Sequence, residues 1–290
     1  MSFKPNQYIK AKTVREVTAL LHQYGEEAAI VAGGTRLHES AVRGMIPKVK
    51  KLIDIEQLGL NYIESGKEGI KIGASTNLRS IRDYPLFKRG GAYTALSEAA
   101  SILPIQILEL GTIGGNICAG LPFLNFPPVV SALDAVLKVV SSEGERSIPA
   151  EEFFIDYFVT ALKPNEFITE IRIPTLPERT GSVFQAFKIL TVGFPAISIA
   201  TRVTLSGNGI CEDIRIVFGS AGRIPIKAIN AERKLTGKKL DDKAIKEVAE
   251  AIPEEIGYIG DLRASAEYKK ELSTALTENA LIKARERAVS

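Results

Sequence analysis

The sequence predicts an α+β protein of two domains, the first divided into two parts. Three observations carry this expectation. Near the start, helical periodicity alternates with short β-branched runs. The turn-forming stretch "TLPERTGS" at residues 175–182 then separates this pattern from three successive strand-like runs, and the chain finishes in helices. The expected domains span residues 1–176, with parts at about 1–58 and 59–176, and residues 180–290. The second should hold those strands followed by the helices.

In chain order, "TVREVTALLHQYG" comes first, with Thr13 and Glu16 spaced as a capping box and Val14, Val17, Leu20 and Leu21 on one helical face. Gly25 ends it. "AAIVAGG" and "KKLIDI" (50–55) read as short buried strands, so the segment is a compact βαβ-like unit with a glycine turn between its strands. The next part opens on the strand "GIKIGAS", after which Asn77 caps a short helix, "NLRSIRDYP". "AYTALSEAASIL" (92–103) is small and apolar throughout, as a buried helix should be, and leads through Pro104 to a second glycine turn. "PPVVSALDAVLKVVS" (127–141) reads as a helix running into a strand, and "EFITEIRIP" as a strand with period-two alternation and a proline stop. Beyond the boundary, "SVFQAFKI", "AISIATRVTL" and "ICEDIRIVFG" are three strands, with "SGNG" (206–209) as a hairpin connection. Helices at about 225–235, 241–252 and 265–287 follow, with Asp241 and Ser265 as caps.

The 290 residues carry 37 Lys plus Arg against 34 Asp plus Glu, and a net charge of +3 gives no electrostatic case for nucleic acid or an anionic membrane. No stretch approaches the roughly 18 apolar residues of a membrane span. "MSFKPNQYIKAKT" lacks the apolar core of a signal peptide, so a cytoplasmic location is expected. Cys118 and Cys211 are the only cysteines and His22 and His38 the only histidines, which leaves no CxxC or HExxH pattern for zinc or an iron–sulfur cluster. Two buried free thiols are expected. No GxSxG elbow is present, and two histidines give little basis for a nucleophilic triad. Redox chemistry here requires an organic cofactor or a partner.

Two glycine pairs stand out, Gly33-Gly34 in "AIVAGGTRL" and, about 80 residues later, Gly114-Gly115 in "LELGTIGGNICAG". Each follows an apolar run, and backbone N–H groups unshielded by a Cβ form nests for phosphate oxygens. Neither pair belongs to a GxGxxG fingerprint or a Walker loop. Two short nests suit a diphosphate cofactor held from both sides, with Thr35, Thr112 and Asn116 adding side-chain hydrogen bonds. Plain turns are the alternative reading of either pair alone.

The order of these features, AGGT, then T-x-GGNI, then "FGSAGRIPIKA", then the terminal "DLRASAEYKKEL" (261–272), resembles the FAD-binding medium subunit of the molybdenum hydroxylases, the xanthine dehydrogenase and carbon monoxide dehydrogenase family. The resemblance covers essentially the whole chain. It implies a two-part FAD-binding domain of the vanillyl-alcohol-oxidase (PCMH-like) type, followed by a C-terminal domain of the CO-dehydrogenase-flavoprotein type, a small antiparallel sheet packed with helices. It further implies that Ile30, Val31, Ala32, Gly33, Gly34, Thr35, Arg36 and Leu37 hold the pyrophosphate and ribityl part of FAD. Gly111, Thr112, Gly114, Gly115, Asn116 and Ala119, with Asn125, close the opposite side. Ile168 and Lys188 match family positions near the adenine and the flavin; a core strand residue and a solvated strand residue are the alternative readings of these two.

The chain departs from the family pattern at three places. Arg36 stands where the family usually has an acidic residue after AGGT, "GLPFLN" (120–125) brings Leu121, Leu124 and Asn125 where hydroxyls and an aspartate are usual, and "KILTVGFPAIS" lacks an Arg and Asp found in many members. Leu121, Phe123, Leu124 and Phe126 stand as core, flavin edge or subunit interface. His38 is expected to be solvated or capping, because the molybdenum-hydroxylase branch does not attach flavin covalently. The resemblance implies an oxidoreductase subunit with no catalytic acid or base of its own. It would pass electrons from iron–sulfur clusters on a small subunit, which follow a molybdopterin site on a large subunit, through FAD to NAD or another acceptor, in a heterotrimer. The alternatives are a scaffold subunit that no longer holds FAD and a stand-alone flavin oxidoreductase.

Overall fold

The computed structural model describes residues 5–46 and 48–289; the first four residues of the stretch read for a leader lie outside these. Its first unit is β1 (Gln7–Lys10), α1 (Val14–Tyr24), β2 (Ala28–Val31), α2 (Thr35–Val42) and β3 (Lys51–Asp54). The strands form a parallel sheet in the order β1-β3-β2, with Ile53 in register with both Ile9 and Ile30. α1 begins where its sequence says it should. Thr13 Oγ1 accepts from the Glu16 amide at 3.1 Å, and Glu16 Oε2 accepts from the Lys12 amide at 2.8 Å. Val17 and Leu21 turn inward, and Gly25 takes φ 49° to end the helix. Two elements were not legible: β1, a polar edge strand, and α2, whose residues read only as the exit of a glycine turn.

The second unit is a five-stranded antiparallel sheet in the order β4-β5-β10-β6-β7, made of β4 (Ile63–Gly66), β5 (Gly69–Gly73), β6 (Val136–Ser141), β7 (Gly144–Pro149) and β10 (Phe167–Ile173). Against it lie α3 (Leu78–Asp83), α4 (Thr94–Ser101), α5 (Ile105–Leu110), α6 (Ile113–Cys118), α7 (Phe126–Ala132) and α8 (Ala150–Phe153), with a small hairpin of β8 (Phe154–Asp156) and β9 (Val159–Thr160). Asn77 caps α3 by accepting from the Ser80 amide at 2.8 Å. β10 differs from the expected half-exposed strand: only Arg172 in it is exposed. As the central strand it packs Phe167 into the core of the first unit and Ile168, Ile171 and Ile173 into that of the second, across a bulge between Ile168 and Glu170. α5 and α6 correct the sequence reading, since the run before the second glycine pair is helical and the pair itself lies in the first turn of α6.

The third unit is the expected antiparallel sheet, β11 (Thr180–Phe187), β12 (Ile197–Leu205), β13 (Cys211–Gly219) and a short β14 (Ile226–Lys227), in that order, followed by α9 (Ile229–Leu235), α10 (Asp242–Glu255) and α11 (Ala266–Val289). The helix expected from residue 225 starts at Ile229, because residues 226–227 pair with β13 instead. Asp241 and Ser265 cap α10 and α11 through the Ala244 and Tyr268 amides. α11 covers β11 and β12, so closely that a Cβ on Gly181 would lie 2.1 Å from the Ala284 carbonyl. The opposite face of the sheet packs on α4 and α7, which explains why β12 is buried along its whole length. The core of the second unit accordingly continues into Phe184, Ala200 and Val217. Of the two cysteines, both free thiols, Cys211 is buried as expected, but Cys118 is exposed. Among the described residues no helix is long and apolar enough to cross a membrane.

Candidate functional site

A trough runs between the three units as three adjoining cavities of about 250, 230 and 310 Å³. The first lies at the junction with the third unit, where the loop after β11 (Val192–Pro195) faces Ile102, Leu103, Pro104 and Ile107. The middle cavity sits between the start of α2 and α6, and shares Thr35, Arg36 and Thr112 with the first. The inner cavity lies between the first unit and β10, and shares Ile30, Ala32, Gly115 and Cys118 with the middle one. Apolar ends and a backbone-lined centre make this a cleft for an elongated ligand with a polar middle.

The polar centre follows from α2. The first intrahelical bond runs from the His38 amide to the Gly34 carbonyl at 2.8 Å, so the amides of Thr35, Arg36 and Leu37 point out of the helix start without an intrahelical acceptor. Gly34 adopts φ 69° to reverse the chain there, and a Cβ on it would meet only Val31 Cγ1, in ordinary contact at 3.9 Å. Gly33 serves a different purpose, because its Cβ would stand 1.6 Å from the Leu110 carbonyl oxygen; only glycine lets β2 and α5 meet. Arg36 forms an ion pair with Glu39 through Nη1, while its Nε is buried with no hydrogen-bond partner among the described residues.

The second glycine pair does not offer the free amides expected of it. The amides of Ile113, Gly114, Gly115 and Asn116 donate to Thr76 O, Ala74 O, Thr112 Oγ1 and Thr112 O, at 3.0, 2.9, 3.1 and 2.9 Å. Its glycines are steric: a Cβ on Gly114 would meet the Ala74 carbonyl at 2.6 Å, and exposed Gly115 leaves a flat wall on the trough. Thr112 is thus the N-cap of α6 and at the same time part of that wall.

The other predicted residues fall as follows. Gly111, Asn116, Asn125 and Lys188 line the junction cavity, Leu37 and Ala119 the middle one, and Ile168 the inner one. Asn125 is buried and tied by Nδ2 to the Ala99 carbonyl at 2.8 Å; Lys188 Nζ donates to the Ile102 carbonyl at 3.1 Å. Val31 is not part of the lining; its carbonyl accepts from the Ile55 amide and holds β2 beside β3. His38 is exposed on α2. Leu121 and Phe126 are core, Leu124 lines the junction cavity, and Phe123 belongs to a surface aromatic group. Sequence reasoning missed Ile102–Pro104, Ile107, Phe158, Cys118 and Phe194, which reach the trough only through tertiary packing. The charge-free stretch "ILTVGFP" was the one visible signal, and it was read only as a departure from a pattern.

Residues 2–176 match the family described as the FAD binding domain in molybdopterin dehydrogenase, and residues 182–284 the one described as the CO dehydrogenase flavoprotein C-terminal domain. The chain is 31% identical to a 6-hydroxypseudooxynicotine dehydrogenase complex subunit alpha from Paenarthrobacter nicotinovorans, over 97% of this chain and 95% of the other. It is 29% identical to a glyceraldehyde dehydrogenase medium chain from Sulfolobus acidocaldarius, over 94% and 96% of the two chains. Among solved structures, a chain of a carbon monoxide dehydrogenase from Hydrogenophaga pseudoflava superposes with a TM-score of 0.91 at 30% identity, with 99% of each chain covered.

Proposed function

Because the chain belongs to the family of FAD-binding medium subunits of molybdenum hydroxylases, we propose that it is the electron-transfer subunit of such a complex and carries FAD along the trough. The observation that supports this most directly is the polar centre: outward first-turn amides and the Arg36 side chain line one cavity, and Arg36 Nε is buried beside it with no partner among the described residues. A diphosphate satisfies both, through charge-assisted hydrogen bonds at a helix N-terminus. The residues present therefore fit the cofactor. Gly34, Thr35 and Arg36 would hold the diphosphate, Ile30, Ala32 and Ile168 would enclose the adenine end, and Asn116, Asn125 and Lys188 would border the flavin ring.

When bound, FAD supplies the redox chemistry, accepting and releasing electrons singly or in pairs. The chain's own residues bind, orient and shield. Ile102, Leu103 and Val192 exclude water from the ring end of the trough, and Lys188 places a positive charge on its wall, held there by the Ile102 carbonyl. In this reading electrons arrive from iron–sulfur clusters on a small subunit, fed by a molybdopterin site on a large subunit, and leave to NAD or another acceptor. The assembly is a cytoplasmic heterotrimer, and neither partner cofactor resides on this chain.

The test is titration of the purified chain with FAD, ADP and riboflavin. The wild type is expected to take up FAD with flavin-like visible absorbance. Arg36→Ala is expected to weaken FAD and ADP about 10- to 100-fold, the worth of one charge-assisted hydrogen bond, and to leave riboflavin, which has no phosphate, unchanged. A wild-type chain that takes up no FAD would replace this reading with that of a scaffold subunit.

A further inference from the structure

The terminal motif Asp261-x-Arg263-x-Ser265-Ala266-Glu267-Tyr268 lies outside the cavities that hold the ligand, and the function above does not use it. Asp261 and Arg263, with Lys269 just beyond the motif, form a compact lock. Lys269, 1% exposed, enters from α11 and donates to the Ser220 carbonyl (2.7 Å), the Ile259 carbonyl (2.9 Å) and Asp261 Oδ2 (2.8 Å). Asp261 in turn accepts from the Arg263 amide (2.8 Å), Nε (3.1 Å) and Nη2 (2.6 Å). Burial opposes the charge on Asp261, yet the hydrogen bonds from Arg263 and Lys269 hold its carboxyl far below the usual carboxylate range.

A guanidinium fixed in this way has a fixed plane, and Arg263 Cζ lies over the ring of Phe123, 4.3 Å from its centroid. Phe123 packs on Phe194 (centroids 4.6 Å apart) and Tyr157 (6.2 Å), and Tyr157 on Phe158 (4.6 Å). Phe194 lines the junction cavity and Phe158 the middle one. Both are about two-fifths exposed, so these rings form an outer wall with solvent on one side and the trough on the other. Phe158 stands at φ 62°, a left-handed conformation unusual for a bulky residue, and its N–H donates a hydrogen bond to the Gly120 carbonyl at 2.8 Å.

Resting on the reading of the trough as an FAD site, we propose that Asp261 and Arg263 are positioning residues that lock an aromatic cover, Phe123, Phe194, Tyr157 and Phe158, over its middle and ring end. The lock sets how fast FAD leaves and how far solvent reaches the flavin. It acts through Phe123, and neither charged residue touches the cofactor.

The test uses the full chain, with and without FAD. In Arg263→Ala, FAD release is expected to quicken about 3- to 30-fold, the range of one cation–π contact, with a parallel rise in iodide quenching of flavin fluorescence. Amide exchange at 120–126, 154–160 and 189–195 should rise while that of the third-unit sheet stays unchanged. Arg263→Lys, which keeps the charge and loses the plane, should fall between. Lys270→Ala, on α11, breaks an exposed ion pair to Glu254 of α10 and should leave every readout at the wild-type value. Should Arg263→Ala fail to fold, Phe123→Leu removes the same contact and is expected to reproduce its release rate. Wild-type release and quenching in these variants overturns the proposal, even if exchange at the three segments rises. A wild-type chain that takes up no FAD overturns the cofactor reading, and the exchange readout on the unloaded chain then decides the lock by itself.

Discussion

Gly33 and Gly34 are neighbours with unrelated reasons for being glycine. At Gly34 the backbone is left-handed and an added Cβ would make only an ordinary contact with Val31 Cγ1, so Gly34→Ala is expected to cost only about 1 kcal/mol of backbone strain. At Gly33 an added methyl would collide with the backbone of Leu110, which no side-chain rotation relieves. Gly33→Ala is therefore expected to destabilise the chain by about 3 kcal/mol or more, read as a lower denaturation midpoint in urea, with FAD affinity falling as β2 and α5 separate. The pair itself was legible in the sequence and so was its importance. The division of labour was not, because the atom that forbids a side chain at 33 belongs to a residue far along the chain. Arg36 shows the converse: its charge beside the diphosphate site is legible in the sequence, while its buried Nε, without a partner among the described residues, is visible only in the structure.

Helix boundaries were readable wherever local chemistry sets them. Thr13, Asn77 and Asp241 each cap the helix that follows, as their spacing indicates. α6 was not readable, since two glycines in a first turn cost roughly 1 kcal/mol each against alanine. Tertiary bonds outweigh that cost: the amides of Ile113 and Gly114 are taken by the Thr76 and Ala74 carbonyls, and Thr112 Oγ1 takes that of Gly115. Thr112→Ala removes the cap and should lower stability by about 1 kcal/mol. Thr112→Ser, which keeps the acceptor, should restore most of it. Because α6 is also the far wall of the middle cavity, the alanine variant is expected to bind FAD more weakly in proportion, and a thermal-shift series with and without FAD checks both effects.

At the scale of the whole molecule, the trough exists because three units close on one another, and ion pairs join the second unit to the third beside their shared apolar core. Arg202, 3% exposed, joins Asp134 of the second unit and Asp213 of β13, while Arg215 bridges the same two carboxylates. Arg287 on α11 reaches Glu98 on α4 at 2.6 Å. Period and capping reveal elements but carry no sign of such long-range pairs, and this is why strands and helices were legible while the junction cavity was not. The same charges predict how stability responds to acid. The hydrogen bonds from Arg146 hold Glu166 below the usual carboxylate range; burial opposes the charge of Glu170, but Tyr62 and Arg172 lower it as well, and Asp261 behaves alike. For each, the folded group binds its proton less readily than the unfolded one. The stabilisation is therefore complete above the ordinary value of about 4 and is lost as pH falls through the folded value. Glu232 has the opposite sign. Burial raises it, so its ionisation weakens the fold as pH rises through the ordinary range. The thermal midpoint is expected to fall steadily on acidification below about pH 4, and Glu166→Gln should flatten that fall at the expense of stability at neutral pH. Glu232→Gln keeps an oxygen to accept from the Ile216 amide; it should raise the midpoint at neutral pH and leave it unchanged in acid. Scanning calorimetry of the three proteins across that range checks the signs. A Glu232→Gln midpoint below wild type at neutral pH would mean that the carboxylate at 232 is favourable when charged, and would reverse the sign argued for it.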